Sequence, residues 1–197
     1  GQQQAILEEY QLKQHQFFFY PAQFWAHKNH TVLLAAFAQL LCSYPDYQLV
    51  LTGSDKGNKS YIQSLATQLG IESNIRFVGF VAMETINTLY RNAAALVMPT
   101  YLGPTNMPLI EAMELDCPVV CSDLKGHREM MGDAAIYFDP SNKEELYQSL
   151  SEVIKNRRRY LQNLKQRKKT TPFRIDFAMQ QINEALKAVA VVRETWQ

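Results

Sequence analysis

The chain has 197 residues, 47% hydrophobic and 20% charged, which fits a globular domain and excludes a disordered or low-complexity polypeptide. A formal net charge of +1 leaves no overall field to draw nucleic acid or an anionic membrane. No apolar run reaches the roughly 20 residues that span a bilayer, and the polar opening GQQQAILEEYQLKQHQ holds no signal-peptide core.

Residues 1–15 are set apart as an N-terminal segment, a linker or an expression remnant. QFFFYPA (16–22) is a short apolar run closed by Pro21, which predicts a buried strand. HKNHTVLLAAFAQLLCSYP comes next, with Val32, Leu33, Ala36, Phe37, Leu40 and Leu41 at helical spacing and Pro45 as the stop. YQLVLTG predicts a second strand ending at Gly53, and YIQSLATQLGI a helix with Gly70 at its C-terminus. NIRFVGF reads as a third strand, METINTLYRNA as a helix and AALVMP as a fourth strand. The junction PTYLGPTNMPLIEAM (99–113) leads into a helix, and PVVCSD gives a fifth strand. GHREMMGD predicts a short helix, AAIYFDP a sixth strand, and SNKEELYQSLSEVI a helix capped by Ser141 and Glu144.

Short continuous apolar strands alternating with helices predict a doubly wound, parallel, six-stranded α/β sheet of the Rossmann-like kind. The expected division is 16–170 for this domain and 171–197 for a C-terminal helix. The run KNRRRYLQNLKQRKK carries eight Lys or Arg, and reads either as the solvated face of a helix or as a contact for phosphate or lipid. Cys42, Cys117 and Cys121 are odd in number and form no CxxC pair. They read as buried free thiols, which points to a reducing, cytoplasmic compartment.

In an open α/β sheet, ligands bind beyond the carboxyl ends of the strands. That rule nominates three loops, PAQFWAHKNH, TGSDKGN and TYLGPTNMP. In the third, Thr105 or Asn106 can cap the following helix, Pro108 suits its first turn, and Gly103 allows close backbone approach or a positive φ. A helix N-terminus of this kind attracts anions, although good capping alone would also explain the composition. Glu111 lies a turn further on among apolar residues. It reads either as an acceptor for a diol or as an exposed first-turn carboxylate. Lys28 stands where a helix dipole disfavours a cation, which makes sense if it neutralises a bound anion. His27 and His30 have metal-pair spacing without an evident third ligand, so hydrogen-bonding loop histidines are the expectation and no metal site is assigned. Phe24 and Trp25 read as packing residues.

Taken in order, FFFYPAQFWAHKNHTVLLAAF, PDYQLVLTGS, NIRFVGFV, INTLYRNAAALVMPT, GPTNMPLIEAMELDCPVVCSD and GDAAIYFDPSNKEEL resemble the C-terminal, donor-binding domain of GT-B glycosyltransferases. The likeness is to group 1 (glycosyltransferase family 4) and runs over about residues 17–154. It implies binding of a nucleotide-diphosphate sugar. Lys28 matches the lysine that contacts the donor diphosphate, with Gln23 near the place of a usual arginine. Gly53 matches the glycine ending the second strand, and Gly79, Phe80 and Val81 the loop that cradles the base. Glu111 matches the second glutamate of a paired motif, which binds the ribose. Gly103 stands where the first glutamate contacts the sugar, so EGFG is replaced by GPTN. Pro104, Thr105, Asn106 and Met107 complete that segment, with Thr105, Asn106 and the Asn106 and Met107 amides as substitutes.

The resemblance further implies metal-independent, retaining transfer with no cofactor, the departing phosphate assisting the acceptor hydroxyl and Lys28 as the catalytic cation. A GT-B enzyme needs a second, N-terminal domain for the acceptor, so this chain alone is expected to show little turnover. Bacterial cell-surface polysaccharide synthesis is the expected setting, at the cytoplasmic side, with peripheral membrane association of the full-length protein. The competing reading is a non-catalytic nucleotide-binding or assembly module. No GxGxxG follows the first strand, which argues against a dinucleotide enzyme.

Overall fold

The computed structural model describes residues 1–103 and 106–171. Six strands are described, β1 (Phe17–Pro21), β2 (Gln48–Thr52), β3 (Ile75–Gly79), β4 (Ala95–Met98), β5 (Val119–Ser122) and β6 (Ala135–Phe138). They form one sheet in the order β3-β2-β1-β4-β5-β6, with every pairing parallel. The helices are α1 (Gln2–Glu9), α2 (His30–Leu41), α3 (Lys59–Gln68), α4 (Met83–Asn92), α5 (Met107–Glu114), α6 (Lys125–Met131) and α7 (Lys143–Thr170). This is the Rossmann-like fold that the alternation predicts.

The central strands explain their own composition. Phe17, Phe18, Phe19 and Tyr20 of β1 are each at most 1% exposed, because helices cover both faces of the sheet and leave no polar side to alternate toward. Phe19 meets Tyr90 of α4 edge-on, with ring centroids 4.9 Å apart. Cys117 and Cys121 are buried free thiols, whereas Cys42, just beyond the apolar face of α2, is exposed.

Several boundaries differ from the sequence reading. Residues 2–9 fold as α1, which packs on α4 and buries Leu7. Arg76 at the sheet edge secures the turn after α1 by donating to the Tyr10 carbonyl at 3.1 Å. The cap of α7 is Asn142 rather than Ser141: its Oδ1 accepts from the Glu144 and Glu145 amides at 3.1 and 3.2 Å. Ser141 instead donates to Asp139 at 2.6 Å. The basic run is a continuation of α7 past a non-helical residue, Asn156. The helix expected beyond Pro172 lies outside the described residues.

The chain order reverses direction across β1 and β4, the two neighbours at the centre of the sheet. The connections leaving their carboxyl ends run to opposite sides and open a crevice between them. That crevice is where chemistry can sit.

Candidate functional site

The loop after β1 holds the first set of residues. Ala26–Lys28 form a single 3-10 turn, so Lys28 precedes α2, which begins at His30, rather than starting it. The turn is pinned from below and beside: the Tyr20 hydroxyl donates to the Lys28 carbonyl at 2.9 Å, and the Tyr101 amide donates to the His27 carbonyl at 3.0 Å. Asn29 adopts the left-handed region (φ 59°), which asparagine tolerates better than most residues. Its buried Nδ2 donates to the Pro99 carbonyl at 2.9 Å and the Pro140 carbonyl at 2.7 Å. One side chain thus ties together the loops after β1, β4 and β6. Nothing in the local pattern distinguishes Asn29 from an ordinary loop asparagine, and the sequence reading missed it.

Two cavities at the carboxyl edge share Pro21, Ala22 and Gln23, and so make one cleft. The larger, about 520 Å³, is lined also by Gly53, Gly79, Phe80, Val81 and Met83. Gly53 is there because nothing else fits: its φ is +123°, and a Cβ would stand 2.4 Å from the Ala22 carbonyl oxygen. Phe80 is 96% exposed at the rim, an aromatic face with no packing role. The smaller cavity, about 410 Å³, is lined by Gln23, Trp25, His27, Lys28, Gly103 and Pro108 among others. Pro108 lies in the first turn of α5, so the N-terminus of that helix opens at this cavity together with Lys28.

Lys28 is half-buried, and burial lowers its pKa from the ordinary lysine value. No carboxylate among the described residues forms an ion pair with it. A cation without an ion-pair partner among the described residues and a helix N-terminus at one cavity are the elements that favour an anion. Trp25, expected to pack, is instead 44% exposed at this cavity, with its indole N–H donating to Gln23 Oε1 at 3.0 Å. Phe24 does pack, buried and stacked on His30 with centroids 4.6 Å apart. His30 is enclosed by Phe24 and Tyr20, and burial and the Lys28 charge push its pKa down to about 4.

The other expected site residues divide. Asn106 occupies the N-cap position of α5, but its side chain makes no capping bond; Thr105, the alternative cap, lies outside the described residues. Met107 is exposed, at 53%, and opens the helix. Glu111 is half-buried on α5, and its Oε2 accepts a hydrogen bond of 2.6 Å from the buried Tyr90 hydroxyl. That contact spans two helices and raises the Tyr90 pKa, by burial first and then by the carboxylate beside it. Asn106, Met107 and Glu111 do not line either cavity, whereas Gln23, Lys28, Gly53, Phe80, Val81 and Gly103 do. Pro104 and Thr105 lie outside the described residues.

A parallel 3-2-1-4-5-6 sheet with a cleft at its switch point defines a Rossmann-like α/β domain. Residues 2–171 match the family model described as "Glycosyl transferases group 1", and the chain belongs to that family. It is 30% identical over 138 residues to O-antigen chain mannosyltransferase B of Escherichia coli, covering 70% of this chain and 36% of that protein. It is 27% identical over 133 residues to O-antigen chain mannosyltransferase RfbU of Salmonella typhimurium, covering 67% of this chain and 35% of that one. Among solved structures, Anabaena HepE in complex with UDP and glucose superposes with a TM-score of 0.82 at 19% identity, over 94% of this chain and 52% of that chain. A glycosyltransferase from Rickettsia africae superposes equally well, with a TM-score of 0.82 at 16% identity, over 96% and 52%. These likenesses show the fold. The chain therefore spans about a third of these curated relatives and about half of these solved structures.

Proposed function

We propose that residues 16–170 form the donor-binding half of a retaining glycosyltransferase, which presents a nucleotide-diphosphate sugar to an acceptor held by a further, N-terminal domain. The observation that carries this reading is Lys28, a half-buried cation without an ion-pair partner among the described residues, facing a cleft that also receives the N-terminus of α5. The nucleoside is assigned to the larger cavity, with Gly53, Gly79, Phe80 and Val81 around the base, and the diphosphate to the smaller one. Glu111 is assigned to the ribose hydroxyls, its orientation fixed by Tyr90. Gln23, Gly103, Pro104, Thr105, Asn106 and Met107 complete the phosphate and sugar contacts. HepE, solved with UDP and glucose, supports the ligand class, and the O-antigen mannosyltransferases support a hexosyl donor and a role in cell-surface polysaccharide synthesis.

The chemistry asked of this half is electrostatic. As the bond from the anomeric carbon to the diphosphate breaks, negative charge gathers on the leaving group. Lys28 and the N-terminus of α5, both at the smaller cavity, are held there by the fold before that charge develops, and stabilise the transition state more than the ground state. No metal or cofactor is part of the proposal, and the departing phosphate serves as base toward the acceptor hydroxyl. Of the whole protein we propose a cytoplasmic place with peripheral contact at the membrane. Among the described residues no helix is long and apolar enough to cross one.

Calorimetry of the chain with UDP-glucose and GDP-mannose tests the assignment. Lys28→Ala is expected to weaken binding by about tenfold or more, the scale of one charge-assisted phosphate contact. Unchanged affinity would remove Lys28 from the site. Gly103 favours a second reading, a non-catalytic nucleotide-binding module, since no carboxylate stands there to hold a sugar. Equal affinity for the free nucleoside diphosphate and its sugar conjugate would support that module.

A further inference from the structure

Just past β1 the chain sends one side chain into the fold and its two neighbours out into the cleft. Phe24 goes in: it is 1% exposed, lies on the His30 ring, and its amide donates to the Ser54 carbonyl at 3.1 Å. Gln23 and Trp25 go out, and both line the cavity that Lys28 lines. Gln23 also lines the larger cavity, so it stands where the two meet.

The two outward residues are bonded to each other twice. The Trp25 amide donates to the Gln23 carbonyl at 2.8 Å, which folds the backbone into a tight turn about Phe24. The Trp25 indole N–H donates to Gln23 Oε1 at 3.0 Å. An indole nitrogen only donates, so this bond settles which end of the Gln23 amide is the oxygen. Nε2 is the other end, and its two N–H groups have no partner among the described residues. The indole is itself flanked, by the His27 ring with centroids 6.2 Å apart and by Lys56 Nζ at 5.9 Å from the ring centre. A tryptophan that serves packing is stabilised by burial, and this one is 44% exposed. What it completes is an ordered donor. A glutamine side chain loses rotamer freedom when it grips a ligand, and an indole that orders it beforehand lowers that cost.

We propose that Trp25 is a positioning residue, which fixes the Gln23 amide so that Nε2 donates to a phosphate oxygen of the nucleoside diphosphate. This rests on the donor-binding reading and adds to it a residue that acts on the ligand through another side chain. A ligand that fills both cavities must pass Gln23, and an anionic phosphate oxygen is the strongest acceptor it carries there. Lys28 supplies the charge at this point and Gln23 the direction.

The test is a double-mutant cycle on the chain, with affinity for UDP and GDP read by calorimetry. Trp25→Phe keeps an aromatic ring beside His27 and Lys56 and removes the N–H; Gln23→Leu removes the amide. Trp25→Phe is expected to weaken the preferred diphosphate roughly 2- to 12-fold, the range for ordering one flexible side chain. In the Gln23→Leu background the same substitution is expected to change affinity by less than about twofold, since nothing is left for the indole to orient. Equal loss in both backgrounds would overturn the proposal, because the ring would then act on the ligand or the fold without Gln23. No loss from either single substitution would overturn it too. A second measurement needs no variant: the side-chain amide resonances of Gln23 are expected to shift on adding the diphosphate, and unmoved resonances would count against the contact. Failure of the unaltered chain to bind either diphosphate has a different meaning, and would defeat the donor-binding reading itself together with this one.

Discussion

His30 couples the cleft to pH. In the folded chain its imidazole stays neutral down to about pH 4, because burial and the Lys28 charge oppose protonation. In the unfolded chain it takes its proton near pH 6.5. Between those values the unfolded state binds more protons, so acid favours unfolding. The stability is present in full above about pH 6.5, falls through that window by roughly 3 kcal/mol, and loses nothing further from this group below about pH 4. His15 and His127, also lowered chiefly by burial, act in the same direction. Denaturant titrations between pH 7 and 4 should show the loss, and His30→Phe should flatten it. Gly53 is the other sensitive position: Gly53→Ala forces a left-handed alanine against the Ala22 carbonyl and is expected to cost at least about 2 kcal/mol, read as a lowered denaturation midpoint. Gly53 was legible in the sequence as the end of a strand. The close approach that makes it obligatory was not, since Ala22 lies on a neighbouring strand's exit.

At the scale of elements, the strands and most helices were legible because covered strands are continuous apolar runs and amphipathic helices repeat at 3.6 residues. The ends were less so. Both Ser141 and Asn142 are good capping residues, and the choice depended on whether the β6 exit turn consumed one of them. Asp139 takes the Ser141 hydroxyl and leaves Asn142 to cap α7. Asn142→Ala is therefore expected to cost about 1 kcal/mol, and Ser141→Ala less, by thermal or chemical denaturation. The basic stretch of α7 shows the same dependence on partners. Arg157 donates to the Ala93 and Ala94 carbonyls, Arg167 to Glu129 and Met130, and Lys168 pairs with Glu114 at 3.0 Å. What reads as a charge run in sequence is in good part a set of clamps holding α7 to α5, α6 and the start of β4.

For the molecule as a whole, the chain supplies one side of a cleft. Large apolar side chains stand exposed at its walls, Trp25, Phe80 and Met83, and Tyr101, Leu102 and Met107 are exposed along the chain between β4 and α5 and at the start of α5. The proteins it matches are about twice as long, which leaves room for a second domain to meet that rim. The expected behaviour of the isolated chain is binding of a sugar nucleotide with little or no transfer. A coupled assay that follows release of nucleoside diphosphate with a simple sugar acceptor checks it, and sustained turnover would show that one domain suffices.

The sequence by itself determined the order and kind of the elements from β1 onward, the parallel sheet and the family, because those depend on short-range periodicity and on motifs a few residues long; α1 escaped it. It also placed Lys28, Phe80 and Gly103 at loops that follow strands. Only the tertiary structure decided which of these loops meet. Asn29 bonds to carbonyls 70 and 111 residues away, and His127 stands beside Gly103 from the far side of β5. Such contacts arise from the order of strands across the sheet, and a hydrogen bond or an unsatisfied lone pair has no signature until the two ends of the chain that create it stand side by side.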